Sequence, residues 1–169
     1  MNIIPVGAIG SMPERTMQDQ LIKILSERTH YRGFDEQFPY CVFEEVHIPE
    51  IGRRSDIVIY ITDRIIINIE CKLDNYTEVL SQAKDHATWA DYSYICIHHS
   101  AFIPTSVIRE MIENRIGLIY WVSDNQFIEV INGMKIKNDN KNARSSVLRT
   151  LKKKQHMKTA ITENNQLSF

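Results

Sequence analysis

The chain has 169 residues, the length of one ordinary domain, with 43% hydrophobic and 24% charged residues. These fractions argue against a disordered chain, and no apolar run is long enough to span a bilayer, so we expect no membrane association. The apolar N-terminal residues lack a preceding basic region and are interrupted by Pro5, so we predict no signal peptide. Cys41, Cys71 and Cys96 lack metal-binding spacing. We expect three reduced core thiols of a cytoplasmic protein.

The net charge of −1 conceals a strongly basic C-terminal segment. The stretch from Lys135 to Lys158 contains nine basic residues and one acid, which leaves the rest of the chain with a charge of −9. We therefore divide the chain into a core at 1–134 and a basic extension at 135–169, which packs on the core or trails from it. A basic segment on an acidic body is typical of a polyanion-binding protein, but it is equally typical of a solvated helix face.

The first predicted helix begins at Ser11, where Ser11 and Glu14 match a capping box, and it ends near Thr29. A loop follows to Pro39. β-branched and apolar runs bounded by turn residues predict six strands, at 40–48, 55–62, 65–72, 92–98, 117–122 and 126–131. Helical periodicity predicts three further helices, at about 74–90, 105–114 and 143–155. The polar tail to Phe169 is expected to fray.

This order predicts an α/β fold with a mixed central sheet. A helix precedes three consecutive strands, which are expected to form an antiparallel meander, and a helical crossover then leads to a fourth strand. A C-terminal hairpin and the basic helix are added to this core.

The strand from Ile65 to Lys72 is the most informative part of the sequence. It reads Ile-Ile-Ile-Asn-Ile-Glu-Cys-Lys, which is typical of a strand buried on both faces. Side chains alternate across a strand, so Glu70 and Lys72 share one face. Their desolvation has to be compensated by each other, by a metal or by a substrate. A Glu-X-Lys sequence alone is more often a solvated pair, and Asp56 on the preceding strand is what favours a site.

Asp56 can join Glu70 only in one register of the hairpin. If Ile61 pairs with Ile65 across a three-residue loop, Asp56 falls opposite Glu70, whereas a two-residue loop places it opposite Cys71. Two carboxylates and the Cys71 backbone carbonyl suit Mg²⁺ or Mn²⁺, with water and phosphate as further ligands. Lys72 could then orient the attacking water or stabilise the developing charge.

These residues resemble the PD-(D/E)XK nuclease superfamily. Asp56 matches its metal-binding acid, and Glu70 with Lys72 matches its (D/E)XK pair, although Ser55 stands where the family name has proline. The resemblance, which covers about 11–98, implies a restriction-endonuclease-like core and a metal-dependent nuclease that hydrolyses DNA phosphodiesters in repair, recombination, restriction or phage DNA processing. Glu70-Cys71-Lys72 followed by a glutamine-bearing helix looks most like the archaeal Holliday-junction resolvases. That likeness implies a metal-binding role for Glu14 and a homodimer. Gln82 resembles the glutamine that follows the lysine in many helicase-associated and repair members, which implies a supporting catalytic role.

Ordinary structural roles remain open for the residues around this motif. Glu14 is by default a capping residue, Gln82 a surface helix residue, and His86 a partly exposed helix residue. The candidate DNA-binding residues are basic and flank the motif or lie in the extension: Arg53, Arg54, Arg149, Lys152, Lys153 and Lys154. Two rival functions stay open, a nuclease fold that binds DNA without cutting it, and an inhibitor or assembly protein that acts on a protein partner.

Overall fold

The computed structural model describes residues 14–27, 40–61 and 65–166, with side chains described to residue 157. The predicted capping box at Ser11 and the loop before Pro39 lie outside these residues. The helices are α1 (Glu14–Glu27), α2 (Tyr76–Ala87), α3 (Thr105–Glu113) and α4 (Lys141–Gln166). The strands are β1 (Tyr40–Ile48), β2 (Arg53–Ile61), β3 (Ile65–Lys72), β4 (Tyr92–His98), β5 (Gly117–Ser123) and β6 (Gln126–Ile131). A short 3₁₀ turn, Pro49–Ile51, connects β1 to β2.

The strands form one sheet in the order in which they occur along the chain. β1, β2 and β3 pair antiparallel, β4 and β5 join in parallel, and β6 is antiparallel to β5. The predicted α/β class, the antiparallel meander and the mixed sheet are therefore confirmed.

The sheet is covered on both faces, which explains why its central strands are almost continuously apolar. Along β2 and β3, the odd-numbered isoleucines from Ile57 to Ile69 pack under α1, with Met17 and Leu21. The other face carries α2 and α3 over β4 and β5, and α4 over β1 and β2. The first helix is thus separated from the other three by the sheet.

An irregularity in β1 lies opposite Asp56. The β1–β2 ladder pairs Glu44 with Ile57 and Val46 with Ser55, and it skips Glu45 and Asp56 between them. Glu45 has a φ of 51°. The register of the two strands is the same on both sides of these residues. The Asp56 side chain is directed to β3, where it accepts the Cys71 amide.

The longest helix, α4, is docked through its side chains. Ala143, Val147 and Leu151 recur every four residues and are buried against the sheet. Arg144 donates to the Trp89 carbonyl at 2.9 Å and pairs with Asp91 at 3.0 Å. The basic extension is therefore packed on the core along this part of α4.

Two helix boundaries differ from those predicted. α2 ends at Ala87 rather than near Ala90, because the Thr88 hydroxyl donates to the Asp85 carbonyl and closes the last turn. α4 continues to Gln166, whereas the sequence predicted an end at Gln155 and a frayed tail. No glycine or proline follows Gln155, so the sequence contains no residue that would end the helix there. The polarity of the tail was not a sufficient reason to predict the end of α4.

All three cysteines are free, and Cys71 and Cys96 are buried beside each other on β3 and β4. Within the described ranges, no helix combines the length and apolarity needed to cross a membrane.

Candidate functional site

The β2–β3 register is the one that the site hypothesis requires. Ile61 pairs with Ile65, and the ladder continues to Ile57 opposite Ile69, where it ends one position before Asp56 and Glu70. Asp56 Oδ2 accepts the backbone N–H of Cys71 at 2.8 Å. The N–H and C=O of one residue point to the same side of an extended strand. The Cys71 carbonyl is therefore directed to the Asp56 side of β3.

Glu70 is the most perturbed acid of the site. Its side chain is 1% exposed, and burial, reinforced by the charge of Asp56, raises the pKa of its carboxyl group to about 9. Glu70 is therefore neutral at pH 7 in the metal-free protein. Its Oε1 atom is buried and has no hydrogen-bond partner among the described residues.

The pKa of Asp56 is also raised. Partial burial raises the pKa of its carboxyl group, the hydrogen bond from the Cys71 amide opposes this effect, and the charge of Glu14 adds to it. Two buried acids with raised pKa values, one of them raised in part by the charge of the other, form a site that would gain from a bound cation.

Lys72 extends from the end of β3 between two acids. Its Nζ atom lies 3.1 Å from Glu14 Oε1 and 3.5 Å from Glu78 Oε1. Burial acts to lower the pKa of this amine, but the hydrogen bond and ion pair with Glu14 and the charge of Glu78 outweigh it and raise the pKa. Lys72 therefore stays protonated at neutral pH.

The sequence interpretation expected Glu14 at the site as a metal-binding acid, not as a partner of Lys72, and it did not anticipate Glu78. Glu14 reaches Lys72 because α1 begins beside the end of β3. Glu78 lies in the first turn of α2, where Asn75 accepts its backbone N–H at 3.1 Å. Capping of α2 is a sufficient reason for Asn75 and Glu78 to occur where they do. The sequence therefore contained no separate signal that Glu78 approaches Lys72.

Gln82 and His86 face the sheet from successive turns of α2. Gln82 Oε1 and His86 Nε2 are buried without a hydrogen-bond partner in the described part of the chain. His86 is fully buried, so its interpretation as a partly exposed residue is wrong. The buried residues of α2 are Val79, Leu80, Ala83 and His86. Burial lowers the pKa of His86 to about 4, against the opposing effect of the Arg54 backbone, so the ring is neutral at pH 7.

A buried chain of polar groups supports this end of the sheet and was missed in the sequence. Ser55 Oγ donates to Asn68 Oδ1, and Asn68 Nδ2 donates to Ser93 Oγ at 3.1 Å. Ser93 Oγ donates in turn to the Ala83 carbonyl of α2 at 2.8 Å. The chain thus links β2, β3, β4 and α2 beneath Glu70. An asparagine within a run of isoleucines was its only sequence signal.

Arg53 and Arg54 lie at the beginning of β2, next to Asp56, and both are engaged in ion pairs. Arg53 Nε lies 2.9 Å from Asp85, and Arg54 Nη1 lies 3.7 Å from Glu45. All four side chains are more than 40% exposed. Surface ion pairs of this kind contribute at most about 1 kcal/mol, so either arginine can exchange its partner for a phosphate at low cost.

The basic residues of α4 lie on its outer side. Arg149, Lys152 and Lys153 are exposed, and Lys154 is partly exposed. α4 contacts the 3₁₀ turn before β2, and Ser146 and Arg149 lower the pKa of Glu50 in that turn. The basic helix therefore approaches the end of the sheet at which Asp56 is found.

The residues fit a magnesium-type cation better than zinc. In the part of the chain that the structure describes, no group of three or more His, Cys, Asp or Glu side chains is arranged to hold a metal. Mg²⁺ and Mn²⁺ need fewer protein ligands, since one or two carboxylates suffice beside water and phosphate. Asp56, Glu70 and the Cys71 carbonyl form an all-oxygen set of this kind. Burial raises the pKa of both Asp56 and Glu70, and this is the observation that favours the fit.

Comparison with known proteins extends the description of the fold but not of the chemistry. Neither a scan of protein-family models nor a search of curated proteins gave a match. Among solved structures, a protein of unknown function from Silicibacter pomeroyi is similar, with a TM-score of 0.59 and 15% identity over 92% of this chain and 94% of that chain. At this identity the likeness concerns the fold alone.

Proposed function

We propose that this chain is a divalent-metal-dependent DNA nuclease with a restriction-endonuclease-like core, as its PD-(D/E)XK-like residues imply. The observation that carries the proposal is the hairpin register that brings Asp56, near the beginning of β2, to the end of β3, where its carboxyl group accepts the Cys71 amide beside Glu70. The order of helix, antiparallel meander, helix and parallel strand supports the same proposal. Cleavage of a phosphodiester is the chemistry for which this combination is best suited.

Asp56, Glu70 and the Cys71 carbonyl would hold the cation. When bound, Mg²⁺ or Mn²⁺ polarises the scissile phosphate and lowers the pKa of a coordinated water. Glu70 binds as a carboxylate, so it releases its proton when the cation binds. Cation binding is therefore expected to tighten as the pH rises from 7 towards 9.

Lys72 acts as a charge stabiliser rather than a base in this scheme. Its ammonium group is held by Glu14 and Glu78, and the raised pKa of the amine keeps it protonated. A positive charge held in place at the end of β3 stabilises the negative charge that develops on the phosphate oxygens. Glu14 positions the ammonium group, and Gln82 Oε1 is buried without a hydrogen-bond partner among the described residues.

DNA would reach the site over a basic surface. Arg53 and Arg54 flank Asp56, and the basic side of α4 lies beyond the β1–β2 turn. Contacts from these residues go to phosphates, so they supply affinity and register without sequence specificity. The body of the protein is acidic, which makes this surface necessary for DNA binding.

Metal-dependent cleavage is the direct test of the proposed function. Labelled duplex, single-stranded and four-way-junction DNA would be incubated with Mg²⁺ or Mn²⁺ and the wild type, Asp56→Asn or Lys72→Met. We expect cleavage of at least one substrate by the wild type and a loss of about a hundredfold or more in both variants.

Two matched substitutions distinguish loss of the site from loss of the fold. Asp124→Asn changes an exposed aspartate in the β5–β6 turn, and Lys84→Met changes an exposed lysine that pairs with Glu110. Both variants should cut DNA at the wild-type rate. Equal cleavage by Asp56→Asn and the wild type would contradict the proposal.

The basic side of α4 gives a separate prediction for DNA binding. Replacing Lys152, Lys153 and Lys154 together by glutamine should weaken binding to duplexes of any sequence. Each lost phosphate contact should reduce the slope of log affinity against log salt by about 1. Fluorescence anisotropy between low and moderate salt measures this slope, and Lys23→Gln on α1 is the control. An unchanged slope would place DNA elsewhere on the protein.

A DNA-binding module that does not cut is the second candidate. It is favoured by the absence, among the described residues, of a three-side-chain metal cluster and by the neutral state of Glu70. Salt-sensitive binding without cleavage by any divalent metal would select this function over the nuclease.

A further inference from the structure

His86 and Trp89 form a buried pair directly behind Glu70. Both side chains are fully buried. Trp89 Nε1 donates to His86 Nδ1 at 3.1 Å, and the rings meet edge to face with centroids 5.4 Å apart. A histidine that is buried between a helix and a sheet needs a structural or functional reason.

The indole determines which nitrogen of His86 carries the proton. An indole N–H can only donate, so the Nδ1 atom that it contacts has to be an acceptor. The neutral ring then carries its hydrogen on Nε2. Trp89 therefore selects one tautomer of His86 through a contact that does not involve Glu70.

The selected hydrogen lies on the nitrogen nearest to Glu70. His86 Nε2 and Glu70 Oε1 are 3.3 Å apart, neither atom has a hydrogen-bond partner of good geometry among the described residues, and the Arg54 backbone is a second acceptor close to the ring. A small rotation of the Glu70 carboxyl group would convert this near contact into a hydrogen bond. A neutral ring can donate to the carboxylate without placing a second cation in the site.

We infer that His86 is a positioning residue for Glu70: oriented by Trp89, its Nε2–H holds the Glu70 carboxylate in the single orientation used to bind the divalent cation. This role rests on the proposed metal-dependent function. Donors that orient a metal-binding group in this way typically contribute about ten- to a hundredfold to metal affinity.

The test combines the tautomer of His86 with the affinity for Mn²⁺. Two-dimensional ¹⁵N–¹H NMR of the metal-free protein reports the tautomer, and calorimetry reports Mn²⁺ binding. We expect the wild-type ring to be protonated on Nε2. His86→Leu should bind Mn²⁺ about ten- to a hundredfold more weakly. His86→Gln, whose amide N–H can replace Nε2–H, should recover most of this loss.

Trp89→Phe tests the role of the indole with a matched control. Removing the donor should give a mixture of His86 tautomers and an intermediate loss of Mn²⁺ affinity. Trp121→Phe also removes a buried indole, whose Nε1 donates to Gln20 at 3.0 Å, and should change neither property. Circular dichroism verifies that each variant is folded.

The outcomes separate this inference from the proposed function. Wild-type Mn²⁺ affinity in His86→Leu, with binding lost in Asp56→Asn, would overturn the role of His86 and leave the metal site intact. A wild-type protein that binds no Mn²⁺ would overturn both. An unchanged tautomer and affinity in Trp89→Phe would overturn the selection of the tautomer by Trp89.

Discussion

Glu70→Gln is expected to raise the free energy of unfolding by about 3 kcal/mol at pH 7 while reducing metal-dependent cleavage by about a hundredfold or more. Burial raises the pKa of Glu70 to about 9, from an ordinary value of 4.5. At pH 7 the unfolded chain has lost this proton and the folded chain keeps it. Folding therefore has to protonate Glu70, and glutamine removes that cost.

The sign of the pH dependence follows from the raised pKa. The favourable contribution of neutral Glu70 is fully present below pH 4.5 and is lost as the pH rises through about 9. The wild type and Glu70→Gln should thus have similar stability near pH 4, and the difference should widen towards pH 9. Urea denaturation at several pH values, followed by the fluorescence of buried Trp89 and Trp121, measures it.

The response to added metal distinguishes the removal of the protonation cost at Glu70 from a general relief of strain in the fold. Mn²⁺ should stabilise the wild type by mass action and leave Glu70→Gln unaffected. Glu113→Gln, at the exposed end of α3, should match the wild type in stability, pH dependence and metal response. A Glu70→Gln protein that is less stable than the wild type at pH 7 would mean that Glu70 is ionised and paired in the folded state.

Asp91→Ala is expected to lower the free energy of unfolding by about 3–5 kcal/mol, because it removes the buried carboxylate of a partly buried ion pair and leaves a buried amide unpaired. Asp91 is 6% exposed. Its Oδ2 atom accepts the backbone N–H of Ile66 at 2.8 Å and pairs with Arg144 Nη2 at 3.0 Å. The substitution leaves a buried amide unpaired and a guanidinium group without its carboxylate.

A double-mutant cycle locates the origin of this loss. Arg144→Met with Asp91→Ala should be less destabilising than the sum of the two single changes, since each single change leaves a charge without its partner. Asp91→Asn keeps an acceptor for Ile66 and should fall between the wild type and Asp91→Ala. Urea denaturation at pH 7 measures the stability of the wild type, the two single variants, the double variant and Asp91→Asn. Asp124→Ala is the control. A loss below about 1 kcal/mol in Asp91→Ala would show that the pair is not effectively desolvated.

Local sequence patterns were sufficient to predict the elements of the core. The isoleucine-rich runs predicted β2 and β3, and turn residues between them predicted the meander. Alternation along β3 placed Glu70 and Lys72 on one side of the strand. These properties depend on neighbours a few residues away, so they can be determined from the sequence by itself.

The assembly of the site depended on contacts that no local pattern encodes. Only pairing across the sheet decided that Ile61 lies opposite Ile65 and that Asp56 reaches the Cys71 amide beside Glu70. The ion pair between Glu14 and Lys72 joins residues 58 positions apart and requires α1 to begin beside the end of β3.

The burial of His86 shows the same division most clearly. Helical periodicity predicted α2, but neighbouring positions on a helix differ by about 100° in direction. The rotation of α2 about its own axis therefore decides that His86 faces inward. The sequence determined which elements form and which acids and bases they carry; the packing of α2 and α1 on the sheet decided which of those groups lose water and meet, because desolvation depends on neighbours that are distant in the chain.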